Sequence, residues 1–141
     1  MIVQGQTTQF KVNILSGLEN FAVGTPYVYK IALYNANANL TNATTSYTST
    51  NEVVASGYTA GGQTLTIIPP SSSNTANTAW VSFANVTWSP ASFTTRGALI
   101  YNATTGAAVC VLNFGSDKTA TGTFSVTFPT ADATNAIIRL S

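Results

Sequence analysis

From Tyr27 onward the apolar residues of this chain come in short runs that alternate with polar ones, and glycine, proline, asparagine and serine separate the runs. A helix would need apolar residues three and four apart over several turns. Alternation instead fills one face of a pleated strand, so the spacing predicts β-structure. "YVYKIALY" (27–34) follows Pro26 and sets Tyr29, Ile31 and Leu33 on the expected core face, against Val28, Lys30 and Ala32. A second strand is expected from Thr64 to Ile68, after Gly61-Gly62. In "AWVSFANVTW" (79–88), Trp80, Ser82, Ala84, Val86 and Trp88 share one face, and Val81, Phe83 and Thr87 share the other. Apolar weight on both faces implies a central strand covered on both sides, or an interface on one of them. "RGALIYN" and "AAVCVLNFG" flank "ATTG", which reads as a hairpin with Gly106 in its turn. "GTFSVTF" (122–128) points Phe124, Val126 and Phe128 inward and stops at Pro129, and "NAIIRLS" (135–141) reads as a short last strand. The expectation is an all-β fold, a sandwich or barrel of about eight strands, with residues 1–141 as a single domain.

The first 24 residues read differently, as an arm carrying a short helix. Phe10, Ile14, Leu18 and Phe21 recur near helical spacing, with Thr7 or Thr8 as N-cap and Gly17 near the end. A strand over the same residues would alternate Phe10, Val12 and Ile14 with Lys11 and Asn13; the helix is favoured because the apolar spacing continues beyond Ile14. Two segments read as surface connections: "NANANLTNATTSYTSTNE" (35–52), with Tyr47 pinning it to the body, and "PPSSSNTANT" (69–78).

Charge is scarce. Five cations and four acids make 6% of the chain, against roughly 25% in an ordinary soluble domain. A net charge of +1 with no basic cluster gives no steering field for nucleic acid or an acidic membrane. A near-neutral Thr/Asn-rich surface tolerates packing into an assembly, because self-repulsion does not oppose association; a quiet secreted domain is the other reading. The opening residues show no signal-peptide pattern, and no apolar run approaches the roughly 20 residues of a membrane span. Cys110 in "AAVCVLNF" reads as a buried small hydrophobe. Asn39, Asn42, Asn85 and Asn102 begin N-x-[ST] triplets, which a chain this rich in Asn and Thr produces by chance.

The chain has no histidine, which excludes serine–histidine and cysteine–histidine nucleophilic systems and histidine-built metal sites. A paired-carboxylate mechanism would need two of Glu19, Glu52, Asp117 and Asp132 to converge. "TAGGQTLT" lacks the phosphate-loop spacing and its lysine, so Gly61-Gly62 reads as a tight turn or bulge. "FGSDKT" (114–119) reads as a turn, with Asp117 as its one certain oxygen ligand for calcium. No enzymatic activity, cofactor or metal is expected. The aromatics, among them Tyr47, Trp80 and Trp88, suit core packing, a protein interface or stacking on sugars. Arg96 has three readings: an anion-binding residue, an exposed strand position, or a tie to loop carbonyls or to Asp117. The tie is favoured, because a hairpin about "ATTG" leaves 94–96 and 114–117 beyond its open end. Arg96→Ala is then expected to lower thermal stability without changing which partner is bound.

"YKIALYNANANLTNATTSYTSTNEVVASGYTAGGQTLT", "FTTRGALIYN", "AVCVLNFGSDK" and "GTFSVTFPTADATNAIIRL" together resemble small tailed-bacteriophage virion structural proteins, over most of the chain from about residue 8. Within that group a capsid cement or decoration protein is the favoured role. The resemblance implies a jelly-roll-like antiparallel β-sandwich. It would sit on the major capsid protein lattice at the outer capsid surface of the virion as a dimer or trimer, after synthesis in the host bacterial cytoplasm. Tyr47, Trp80, Trp88, the two polar connections and the N-terminal segment are then the expected partner contacts, with Arg96 and Asp117 as framework. The other reading is a tail- or fibre-associated domain that recognises a host-surface glycan.

Overall fold

The computed structural model describes residues 1–141. It contains one helix, α1 (Thr8–Leu15), and eight strands. The strands are β1 (Gly5–Gln6), β2 (Tyr29–Tyr34), β3 (Gln63–Thr64), β4 (Ile67–Ser73), β5 (Thr78–Phe83), β6 (Val86–Asn102), β7 (Ala108–Val126) and β8 (Ile138–Leu140). They form two sheets, one of five strands in the order β1-β7-β6-β2-β3 and one of three in the order β4-β5-β8. Every strand pair within them is antiparallel.

α1 starts where a cap is available. Thr7 is extended, its Oγ1 accepts the Phe10 N–H at 3.1 Å, and it also donates to the Ala108 carbonyl at 3.0 Å. Gly17 closes the helix at φ +71°. The expected apolar face is only partly used: Phe10 and Phe21 are buried, whereas Leu18 is 52% exposed. Asn13 is buried in its place because the helix ends at Leu15 and the chain turns Glu19 back towards it.

Strands β6 and β7 carry the architecture. Their pairing runs from Val86–Val126 to Tyr101–Ala108 around the turn containing Gly106. Near that turn, Gly97–Asn102 is buried without interruption because the five-stranded sheet is covered on both faces. One face carries Tyr29, Ile31, Leu33, Ala98 and Ile100 into a core cluster shared with Val81, Phe83 and Ile138 of the smaller sheet. The other face carries Ala32, Tyr34, Leu99 and Tyr101, packed against Ile2, Ala38 and Leu40. Farther out, β6 and β7 continue as a two-stranded ribbon. Val86, Trp88, Ala91, Phe93 and Thr95 are buried, while Thr87, Ser92 and Thr94 face solvent.

Three local expectations change. Segment 35–52 is irregular, but it is a cover and not a loose connection: Ala38 and Leu40 are 1% exposed, and Val3 N–H bonds the Leu40 carbonyl at 2.8 Å. Residues 69–73 belong to β4, an edge strand that tolerates Pro69-Pro70 because its register slips between Ile68 and Ser71. The single strands expected over 64–68 and 79–88 are each divided between the two sheets. At the second break, Ala84 and Asn85 preserve the alternation while the chain changes sheets, so the period conceals the turn.

Candidate functional site

Arg96 and Asp117 meet at 3.2 Å through Nη1 and Oδ1, in the chain's one salt bridge. Their position differs from the expected one. Pairing continues beyond them, from Thr95–Lys118 outward, so they sit in mid-hairpin and not at its open end. Residues 114–117 form a bulge opposite Arg96 alone, turned by Gly115 at φ +81°. The side chains are 37% and 54% exposed, so water screens the pair. Arg96→Ala is therefore expected to cost less than about 1 kcal/mol in denaturant unfolding; a loss several times larger would show that the bulge depends on this contact.

The three aromatic candidates separate. Trp88 is 3% exposed, and its ring packs against Tyr58, Phe93 and Phe124. It is a core residue and no contact residue, because the ribbon turns its apolar face inward. Tyr47 is half-buried; its ring stacks on Tyr101 at 4.7 Å and its hydroxyl donates to Glu52 Oε2 at 2.6 Å. Trp80 stays half-exposed on β5, opposite Arg139 of β8.

Trp80 borders an apolar groove of about 140 Å³, lined with Phe10, Ile14, Phe21, Pro70 and Leu140 among others. Phe21 also lines a second depression, with Val23, Tyr27 and Pro69. Val12, Leu15, Leu18 and Val23 stand exposed in the adjoining segment, Leu15 at 88% and Val23 at 84%. α1 thus buries one side and offers a second apolar side to solvent. On the other side of β8, Arg139 and Lys11 line an open polar cleft of about 530 Å³ with Gln4 and Gln6.

Sequence reasoning missed the buried carboxylates. Glu52, 4% exposed, accepts the Tyr58 hydroxyl (2.6 Å) and the Gly61 N–H (2.7 Å) on Oε1, and the Tyr47 hydroxyl on Oε2. The Tyr58 oxygen also accepts the Leu33 N–H at 2.9 Å, which ties the hub to β2. Tyr34 donates to the Thr48 carbonyl and Tyr101 to the Gly61 carbonyl, which holds the same loops from the other side. Glu19, 9% exposed, accepts Tyr29 Oη (2.6 Å) and Asn102 Nδ2 (3.1 Å), joining the end of the helical segment to β2 and the hairpin turn. Neither carboxylate has a cationic partner; hydrogen bonds carry the compensation that burial demands. The two belong to separate networks at opposite ends of β2, and the two aspartates are engaged elsewhere. Asp117 holds Arg96, and Asp132 caps the turn of Thr134 and Asn135, whose bonds hold its carboxyl below the ordinary range. The one available signal was that a chain with four acids places two of them beside tyrosine-bearing segments.

Burial raises the hydroxyl pKa of Tyr29, Tyr34, Tyr47, Tyr58 and Tyr101 above the ordinary 10, and for Tyr29, Tyr47 and Tyr58 the carboxylate bond adds to it. A group with a raised folded pKa contributes stability below its unfolded pKa and loses it as pH climbs towards the folded one. Stability is thus expected to fall once pH passes about 10. Tyrosinate absorbance and far-ultraviolet dichroism followed together should change in one cooperative step. Gradual ionisation of a protein that stays folded would contradict this. Burial likewise pushes the Cys110 thiol up to about 12, leaving no reactive thiolate near neutrality.

Comparison of the chain with protein-family models, curated proteins and solved structures finds no match.

Proposed function

We propose that this chain is a non-enzymatic bacteriophage structural protein, a capsid cement or decoration protein that binds the major capsid protein lattice on the outer surface of the virion. The observation that carries the reading is the apolar groove beside α1, together with the exposed Val12, Leu15 and Leu18, on a chain of net charge +1. Large apolar side chains exposed beside an apolar groove are a recognised mark of an interaction site. The jelly-roll-like sandwich belongs to the same proposal. Its support is the core cluster that draws side chains from both sheets. Multivalency supplies the affinity: a homo-oligomer spanning several capsid subunits gains effective concentration from its second contact, so each contact can be weak.

The test is co-sedimentation with expanded, empty capsids. Leu15→Asp should lower capsid binding by at least about tenfold, equivalent to 1.4 kcal/mol, with unchanged melting because Leu15 touches solvent. Absence of binding by the wild-type chain would refute the proposal. The alternative, a tail- or fibre-associated domain recognising a host-surface glycan, rests on Trp80, since Trp88 is buried and the Tyr47 hydroxyl is committed to Glu52. Quenching of tryptophan fluorescence by a glycan, together with tail labelling in electron microscopy, would favour it.

A further inference from the structure

The outer edge of β7 is open over most of its length. β1 pairs with it only at Cys110 and Val111, and Gln4 and the Ile2 carbonyl bond Asn113. From Phe114 to Val126 its strand partner is β6 alone. Proteins ordinarily blunt such an edge with proline, charge or a bulge in the strand itself. Between Lys118 and Val126 there is no proline, and Lys118 is the one charged residue. The register shift along this stretch inserts Ser89 and Pro90 on β6, against Thr123 of β7. No residue is inserted on β7 over this stretch, and its one departure from β geometry is Gly122 at φ +129°.

We propose that this edge pairs with the same edge of a second copy, antiparallel about a two-fold axis at Thr121, to give a continuous β6-β7-β7-β6 sheet. The residues themselves specify the occupant. Reading 119–123 as Thr-Ala-Thr-Gly-Thr, an antiparallel match centred on Thr121 sets Thr119 opposite Thr123, Thr121 opposite itself and Ala120 opposite Gly122. Threonines directly opposed across strands hydrogen-bond through their hydroxyls, as Thr94 and Thr119 already do within the chain at 2.9 Å. Gly122 sits at φ +129° and brings no Cβ to the join. The same register sets Lys118 opposite Phe124 of the second copy, twice. Phe124 and Phe114 are half-buried and line an open groove beside Lys118 and Thr119; a lysine stem and ammonium over that ring makes a favourable contact. Such an interface is isologous and closes as a dimer. It supplies the second copy a multivalent clamp requires, and it stands whether or not the groove beside α1 binds capsid protein.

Light scattering behind size exclusion tests it. The wild-type chain should run at twice its 14.7 kDa mass. Thr121→Lys places two ammonium groups against each other at the axis, so its mass should halve; far-ultraviolet dichroism should be unchanged, because the side chain is exposed in the single chain, and melting should fall only by what association contributes. Thr121→Cys should be joined into dimers by a short bis-maleimide, whereas Thr87→Cys, on the outer face of β6, should not. Leu15→Asp should keep the dimer mass. A monomeric wild type, a dimer that survives Thr121→Lys, equal cross-linking at position 87, or a monomer produced by Leu15→Asp would each overturn the proposal.

Discussion

Glu52→Ala is expected to lower folding stability by about 3–5 kcal/mol, read as a shift in the denaturant midpoint at unchanged slope. The carboxylate is 4% exposed and accepts from Tyr47, Tyr58 and the Gly61 amide, all within 2.7 Å. Alanine leaves three donors without an acceptor, two of them on rings packed in place. A hydrogen bond to a charged group is worth roughly 1.5–3 kcal/mol, and repacking or entry of water recovers part of the sum. Glu52→Gln keeps the shape and one carbonyl oxygen, so it should cost less than alanine. Tyr47→Phe removes a single bond to that carboxylate from a half-buried hydroxyl and should cost about 1.5 kcal/mol, the low end of this range. The order alanine, then glutamine, then Tyr47→Phe is the diagnostic. If alanine were tolerated within about 1 kcal/mol, Glu52 would be an ordinary polar residue and not the hub of its loops.

Gly62→Ala is the second large effect, and it acts through the backbone. Gly62 adopts φ +77°, and a Cβ there would lie 1.7 Å from the Ile31 carbonyl oxygen and 2.8 Å from Ala32 Cα. Both atoms belong to β2, the strand whose side chains enter both core clusters, so neither can retreat cheaply. Left-handed backbone costs an L-residue roughly 1–2 kcal/mol and overpacking about 1–3 more. The substitution should therefore remove about 2–5 kcal/mol or prevent folding at moderate temperature. Gly115→Ala is the control: at φ +81° it meets the same backbone penalty, but no atom lies within 4 Å of its Cβ. It should lose only the first part, and equal losses at the two positions would show that the approach to β2 is unimportant.

These two residues mark where sequence reasoning stopped. Gly61-Gly62 is legible as a tight turn, because consecutive glycines before an alternating run have few other uses. Its tertiary purpose is not: the turn lets Gly61 donate to Glu52 and Gly62 lie against β2. Glu52 itself sits in a segment without apolar period and reads as surface, although Ala38 and Leu40 of that segment are core. A cover over a second sheet face needs only a few apolar residues at irregular spacing, so no period announces it. Arg96 and Asp117 were legible as neighbours from the hairpin about Gly106. The bulge that places them in mid-strand was not, since four residues opposed to one leave the alternation on either side intact.

The sequence by itself determined the strand-forming runs, the capped helix, the inward set Tyr29, Ile31 and Leu33, and the turn at Gly106. Each follows from local sterics and from the exclusion of apolar side chains from water, which act within a few residues. Only the tertiary structure decided which sheet each strand joined, that Trp88 faced inward while Trp80 stayed half-exposed, and that two carboxylates were buried under tyrosine hydroxyls. Those outcomes depend on partners far along the chain: Asn102 lies 83 residues from Glu19, and β5 closes against β8 at the other end. A backbone edge or a buried charge is satisfied by whatever folds against it, and no local pattern records that choice.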